Sequence, residues 1–212
     1  LGTNNCRLLI ARPSPDGFTV VDAYSRVVRL GEGLLEAGRL SDAAMDRTLA
    51  ALSACSEKLA RRDVRLTRNV ATEACRRASN GLAFVERVYQ ETGIALDVIS
   101  AAEEARLAVL GCHVLLEEGD SPALVFDIGG GSTELVLVDT QSGAPQTLDW
   151  RSIPWGVVSL SESVPHDSAD PVARSAAYAQ MRAEVRDSLG PFVETLAQAA
   201  GPAPRLLGTS GT

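Results

Sequence analysis

The segment that most constrains this chain is the run Asp-Ile-Gly-Gly-Gly-Ser-Thr-Glu at residues 127–134. Its three glycines lie between two apolar stretches, residues 123–128 and 135–138, that are typical of buried strands. Glycine lets the backbone approach a ligand closely and turn its N–H groups toward phosphate. The run therefore predicts a hairpin whose turn binds phosphate through Gly129, Gly130, Gly131, Ser132 and Thr133.

Two acids bracket this turn, Asp127 before it and Glu134 after it. A carboxylate beside bound phosphate would repel that ligand unless a cation lay between them. The pattern thus predicts that Asp127 and Glu134 hold Mg²⁺. The alternative is a flexible hairpin whose acids are solvated, because glycine turns are common in proteins.

Two further polar turns lie near the ends of the sequence, one before a predicted strand and one after another. Each turn alone is typical of an ordinary loop. Three such turns beside strands predict that they converge on one polyphosphate. The candidate phosphate-binding residues in these two turns are Gly2, Thr3, Asn4 and Asn5, and Gly208, Thr209, Ser210 and Gly211.

Two adjacent acids, Glu103 and Glu104, open a predicted helix that follows an apolar strand. Ser100 and Glu103 have the spacing of a capping box, which gives Glu103 a structural role. Glu104 has no such role, and a carboxylate at this junction can accept a proton from a water that attacks phosphorus. The alternative is that Glu104 only stabilises the helix N-terminus through the helix dipole.

A pair of arginines, Arg76 and Arg77, follows another predicted strand. Either guanidinium can neutralise the charge that develops on a phosphoryl group during transfer. One of the two is therefore a candidate for the site, and the other is expected to be solvated.

The composition sets the class of protein. The chain has 212 residues, 45% of them hydrophobic and only 4% aromatic, which favours an α/β protein of one or two compact domains. A net charge of −7 argues against a broad contact with a nucleic acid polymer or an anionic membrane. Four separated cysteines without a CxxC pair, and no apolar run near the roughly 20 residues of a bilayer span, predict a soluble cytoplasmic protein.

The order of predicted elements indicates two similar halves. Each half opens with a polar turn followed by an apolar strand and a further hairpin, which suggests an internal duplication. A βαβ arrangement completes the first half, and a helix at residues 171–199 with a strand at 205–207 follows the second opening. The sequence begins without Met and stops after a glycine turn, so we expect a fragment of a longer protein.

Several segments together resemble the exopolyphosphatase and guanosine pentaphosphate phosphohydrolase family, within the acetate kinase, sugar kinase, Hsp70 and actin superfamily. The resemblance runs the length of the chain and is specific in order and spacing. It rests on residues 2–8 (GTNNCRL), 29–33 (RLGEG), 71–80 (ATEACRRASN), 99–107 (ISAAEEARL) and 127–134 (DIGGGSTE).

The resemblance implies a ribonuclease H-like, actin-like ATPase fold with two similar domains that flank a phosphate-binding cleft, the second incomplete. The expected ranges are residues 1–121 and 122–212. Glu104 matches the catalytic base of the family and Arg76 its cleft arginine, while Asp127 and Glu134 match the acids associated with metal and water. Two departures are Asn5, where Ser is common, and Ser210, where Gly is more common.

The implied activity is release of terminal orthophosphate from inorganic polyphosphate or guanosine pentaphosphate, through Mg²⁺-assisted attack of a water that Glu104 activates. Two alternatives stay open, a non-catalytic sensor of polyphosphate or the alarmone and an ATP-dependent kinase of the same superfold. The sequence does not choose between the two substrates, and a homodimer is compatible with the family.

Overall fold

The computed structural model describes residues 1–15, 17–116, 121–141, 145–198 and 203–210. The chain divides into two compact units, Leu1–Ile99 and Ser100–Thr212. The α/β class predicted from composition is confirmed, because both units combine helices with strands. Within the described residues, no helix has both the length and the apolar character that crossing a bilayer requires.

The first unit opens with an antiparallel hairpin formed by β1 (Asn5–Ser14) and β2 (Gly17–Val27). Two very short parallel strands follow, β3 (Val70–Ala71) and β4 (Asp97–Val98). The sequence predicts longer strands at both places, starting at residues 64 and 94. Residues 65–69 are polar except for Leu66, whose side chain is 90% exposed, so this stretch has no apolar face to bury in a sheet.

The helices of the first unit are α1 (Leu34–Ala37), α2 (Asp42–Arg61), α3 (Glu73–Arg77) and α4 (Gly81–Thr92). The sequence predicts Ser41 as the N-cap of α2, and this is confirmed because its hydroxyl accepts a hydrogen bond from the N–H of Ala44. The sequence predicts an apolar stripe on this helix, formed by Met45, Leu49, Leu52, Cys55 and Leu59. The first four are buried in one core with Cys6, Phe84 and Val88, and Leu59 is half-buried.

The second unit is built on a four-stranded sheet with the order β7-β6-β5-β8. Strands β5 (Ala123–Ile128), β6 (Thr133–Asp139) and β7 (Gln146–Ile153) form an antiparallel meander, as predicted. Strand β8 (Arg205–Ser210) pairs with β5 in parallel. It continues three residues beyond the predicted end at Leu207, because pairing with β5 extends through Gly208, a residue that usually ends strands.

Helices cover both faces of this sheet. Helix α5 (Ala101–Cys112), which leads into a 3₁₀ turn at His113–Leu115, packs Ala105 and Val109 on one face. Helix α7 (Pro171–Gln198) packs Phe192 on the other. A short helix that the sequence analysis did not predict, α6 (Val157–Ser163), follows β7.

The boundary between the two compact units lies between Ile99 and Ser100, before α5. The domain boundary expected from the sequence lies at residue 121, after α5. The reason for the difference is packing, since Ala105, Val109 and Cys112 of α5 are buried against the sheet of the second unit. A compact unit and an actin-like domain are different divisions of a chain. The ranges 1–121 and 122–212 therefore stay a prediction.

A glycine at the start of α4 is required by packing. A Cβ added at Gly81 would lie 2.0 Å from the carbonyl oxygen of Cys75, a backbone atom that cannot rotate away. We expect Gly81→Ala to lower the free energy of unfolding by about 1–3 kcal/mol, as overpacking does. Urea unfolding followed by circular dichroism measures the change.

The matched control is Gly111→Ala in α5, where an added Cβ meets no heavy atom within 4 Å. This variant should gain about 0.5–1 kcal/mol, because alanine favours helix over glycine. Equal stability of the two variants would contradict the packing argument.

Candidate functional site

A row of four polar side chains crosses the sheet of the second unit, one from each strand. Residues paired directly across neighbouring strands project from the same face of a sheet. The register pairs Glu134 with Asp127 in the centre, and each is paired on its outer side with a hydroxyl residue. In strand order the row is Ser152, Glu134, Asp127 and Thr209.

Each hydroxyl of this polar row donates a hydrogen bond to the acid beside it. The Ser152 hydroxyl donates to Oε1 of Glu134 at 2.9 Å. The Thr209 hydroxyl donates to Oδ1 of Asp127 at 2.8 Å. The two carboxylates are thus adjacent in the middle of the sheet, and each is held from outside.

Glu134 is the most buried acid of the row, with 1% of its surface exposed. Burial raises the pKa of Glu134 to about 7, and the negative charge of Glu104 is the second cause. Hydrogen bonds from Ser132 and Ser152 oppose this rise in pKa, and Asp127 adds to it. Two other acids predicted from the sequence, Glu104 and Asp127, therefore lie close enough to Glu134 to raise its pKa.

Glu104 lies in the first turn of α5, next to Glu103. The Ser100 hydroxyl caps the helix by accepting the N–H of Glu103 at 3.2 Å, as predicted. The carboxylate of Glu103 forms an ion pair with Arg106 at 2.7 Å. Glu103 thus has a structural partner, while the charge of Glu104 acts on Glu134.

The glycine turn between β5 and β6 is shaped by the N-terminus of α6. All three glycine carbonyls accept hydrogen bonds from this helix. The pairs are Val157 N–H to Gly129 O at 3.0 Å, Val158 N–H to Gly130 O at 2.8 Å, and the Ser159 hydroxyl to Gly131 O at 3.1 Å. The C=O and the following N–H of a trans peptide point in opposite directions, so the N–H groups of the next residues point away from α6. Phosphate binding by these N–H groups stays a prediction.

The first predicted turn has the same closing hydrogen bond as the glycine turn. The N–H of Gly2 donates to the carbonyl of Asn5 at 2.9 Å, and that of Gly129 donates to the carbonyl of Ser132 at 3.0 Å. The side chain of Thr3 is buried. This shared hydrogen bond agrees with the prediction that the polar turns at the start of the two halves arose by internal duplication.

Arg76 lies in the first unit, on α3. Its guanidinium forms an ion pair with Glu73 at 3.0 Å and donates to the carbonyl of Ile99 at 2.7 Å. The backbone N–H of Thr72, at the start of α3, donates a hydrogen bond of 3.1 Å to the carbonyl of Leu1, the residue before the Gly2 turn. Within this unit the structure thus brings the first turn and the helix of Arg76 together.

The last predicted turn lies at the end of β8. A Cβ added at Gly208 would lie 2.7 Å from the ring of Phe126, so the ring would have to shift. Thr209 is bonded to Asp127, and the Ser210 hydroxyl donates to the carbonyl of Ile128 at 3.3 Å. Gly211 lies outside the described residues. Phosphate binding by these residues stays a prediction.

Three residues of this site were not found by sequence reasoning, namely Ser152, Gly156 and Ser159. The register of β7 would have revealed Ser152, because it places this residue opposite Glu134. Gly156 and Ser159 belong to the start of α6, for which the sequence analysis gave no helix. Glu73, the partner of Arg76, lies three residues before it and could have been recognised from this spacing.

The central acids fit a divalent cation in charge and in donor type. The carboxylates of Asp127 and Glu134 are neighbours on one face of the sheet, and both offer oxygen atoms as ligands. In the described part of the chain, no group of three or more His, Cys, Asp or Glu side chains is arranged to hold a metal. Mg²⁺ usually takes one or two carboxylates together with waters and substrate phosphates, and its binding by Asp127 and Glu134 stays a prediction.

The fold identifies the class of protein as actin-like. The chain has the actin-like α/β fold predicted from its sequence, shared with a crystal structure of an exopolyphosphatase from Cytophaga hutchinsonii. The TM-score is 0.88 at 27% identity, over 100% of this chain and 65% of that one. A Ppx/GppA family member from Aquifex aeolicus gives a TM-score of 0.69 at 29% identity, over 98% of this chain and 63% of that one.

Comparison of the sequence with known protein families identifies the family of this chain. The profile of the Ppx/GppA phosphatase family matches residues 9–212, and this chain belongs to that family. Exopolyphosphatase 2 of Mycobacterium tuberculosis is 35% identical over 204 residues, which are 92% of this chain. The chain spans 61% of the length of that relative.

The raised pKa of Glu134 predicts a pH-dependent stability. The folded state binds this proton more tightly, because the pKa rises from 4.5 to about 7 on folding. The resulting stabilisation is fully present below pH 4.5 and is lost as the pH rises through 7. Across this range the free energy of unfolding of the wild type should fall by about 3 kcal/mol more than that of Glu134→Gln.

Urea unfolding at a series of pH values, with a chelator present, measures this difference. Glu104→Gln should show a smaller fall than the wild type, because the charge of Glu104 helps to raise the pKa of Glu134. The same pH dependence in the wild type and in Glu134→Gln would show that Glu134 titrates normally.

The contact between α6 and the glycine turn predicts the effect of adding a side chain at Gly156. A Cβ added at Gly156 would lie 2.5 Å from the carbonyl oxygen of Gly129. Gly156→Ala should therefore separate the helix from the turn and cost about 1–3 kcal/mol of stability. Hydrogen exchange should become faster at the amides of Val157 and Val158, and Gly111→Ala, which meets no heavy atom, should leave these rates unchanged. Unaltered exchange in Gly156→Ala would contradict the described contact.

Proposed function

We propose that this chain is the phosphate-handling part of an exopolyphosphatase-type phosphohydrolase, which releases terminal orthophosphate from inorganic polyphosphate. The observation that carries the proposal is one hairpin, β5–β6, that presents both a glycine turn and two facing acids. Membership of the Ppx/GppA phosphatase family and the likeness to Exopolyphosphatase 2 support it.

In this proposal Glu104 is the base that takes a proton from the attacking water. Its place in the first turn of α5 and the effect of its charge on Glu134 support this role. The neighbouring Glu103 is a weaker candidate, because its carboxylate is paired with Arg106. General base catalysis by a positioned carboxylate typically contributes about 10²–10⁴ in rate.

Asp127 and Glu134 would hold Mg²⁺ on the face of the sheet. When bound there, the ion supplies positive charge that lets phosphate approach the acids and that stabilises charge on its oxygens. Occupation by a cation would also lower the pKa of Glu134, because a nearby positive charge favours the ionised carboxylate.

The glycine turn would hold the phosphate itself. The N–H groups of Gly130, Gly131 and Ser132 face away from α6, and such successive N–H groups form an anion-binding concavity. The Gly2 turn, which has the same closing bond, is proposed to hold a further phosphate. Arg76 would exchange its carboxylate partner Glu73 for a phosphate oxygen and so stabilise the negative charge on the phosphoryl group during its transfer.

Guanosine pentaphosphate is the second candidate substrate. Both compounds end in a phosphoanhydride, so the same acids and turns would serve either. The names of the similar proteins, exopolyphosphatases from two organisms, favour polyphosphate. A sensor that binds without hydrolysis and an ATP-dependent kinase remain the competing functions.

The test compares Glu104→Gln with the wild type in the natural full-length protein. Phosphate release from polyphosphate and from guanosine pentaphosphate, with Mg²⁺, should fall by about 10²–10⁴ in the variant, with binding largely retained. Glu103→Gln is the matched control, because it removes an adjacent charge that is already paired with Arg106.

The outcomes separate the competing functions. Equal release by wild type and Glu104→Gln would remove Glu104 as the base. Tight binding without release by the wild type would identify a sensor. Release that requires an acceptor alcohol and a nucleotide would identify a kinase.

A further inference from the structure

We propose that Ser152 and Thr209 are positioning residues that orient the two central carboxylates for a divalent cation. The inference rests on the proposed function, because it assigns that cation to Asp127 and Glu134. It gives Ser152 a role that sequence analysis did not predict, and it gives Thr209 a role other than direct contact with phosphate.

The strand order creates a symmetrical arrangement around the acids. Glu134 and Asp127 are neighbours on the two central strands, and each has one hydroxyl partner on an outer strand. Glu134 also accepts a hydrogen bond from Ser132 in the glycine turn. Each hydroxyl donates to one oxygen of its acid, at 2.9 Å for Ser152 and 2.8 Å for Thr209. Each carboxylate is therefore restrained from the side opposite to the other acid.

This restraint matters because two neighbouring carboxylates repel each other. Without a fixed partner, the terminal torsion of an acid is broad, and the carboxylates would rotate or separate. A hydroxyl bond to one oxygen fixes the plane of the group. Metal sites depend on such partners, whose loss typically weakens metal affinity by about 10–100-fold.

The choice of hydroxyl groups also preserves the charge of the site. In the described ranges, neither Asp127 nor Glu134 forms an ion pair with Lys or Arg. A basic side chain in place of Ser152 would orient Glu134 equally well, but it would also neutralise it. A neutral donor restrains the acid while leaving its negative charge for a cation.

The experiment measures cation binding by the natural full-length protein, with Mn²⁺ detected by electron paramagnetic resonance and Mg²⁺ by calorimetry. Ser152→Ala and Thr209→Val should each raise the Kd by about tenfold or more. Ser152→Thr and Thr209→Ser keep a hydroxyl and should restore most of the affinity. Rescue by these variants distinguishes positioning from a loss of structure.

Thr147→Val is the matched control, because Thr147 lies on the same strand as Ser152 but pairs with Val138, away from the acids. Its Kd should equal that of the wild type. Thermal unfolding of every variant shows whether a change in Kd accompanies a loss of fold. An unchanged Kd in folded Ser152→Ala and Thr209→Val would overturn the positioning role.

Two results separate this inference from the proposed function. If the wild type releases phosphate and binds Mn²⁺, but the hydroxyl variants bind it equally well, only the inference fails. If the wild type binds no divalent cation, the inference fails together with the proposed role of Mg²⁺. Phosphate release by Glu104→Gln tests the proposed base separately, because that variant keeps both hydroxyls.

Discussion

The burial of an acid, Glu134, in the middle of the sheet is the constraint on which the site in the second unit depends. Glu134 is almost fully buried beside Asp127, and the charge of Glu104 adds to the cost of ionising it. Such an arrangement persists only where the surrounding structure fixes it. The apolar packing of α5 on the sheet and the hydroxyl bonds at its outer strands supply that support. The site therefore depends on its scaffold as much as on its acids.

The glycine turn illustrates the same dependence on distant parts of the chain. Glycine permits many backbone conformations, and α6 selects one of them by donating to the three carbonyls. The close approach of Gly156 to Gly129 and Gly130 makes this contact possible. The N–H groups of the glycine turn thus owe their direction to a helix that begins more than twenty residues later.

The sequence predicted the local part of the fold and of the site. The β5–β6 hairpin is short, so its turn determines that Asp127 faces Glu134. The place of Ser152 depends on an irregularity between Leu137 and Val138 in the register of β7, which no composition signal reveals. Helix α6 has only 7 residues and begins with two β-branched valines, so it lacks the long apolar period that identifies helices.

The hydrogen bond from Thr209 to Asp127 joins residues 82 positions apart in sequence. Closing so long a loop costs more chain entropy than closing the β5–β6 hairpin, and contacts of high sequence separation slow folding. The two acids can therefore meet early, in a local hairpin, before β8 pairs with β5 and its hydroxyl arrives. In a chain emerging from the ribosome, the acids would face each other while the segment that restrains Asp127 was still being made.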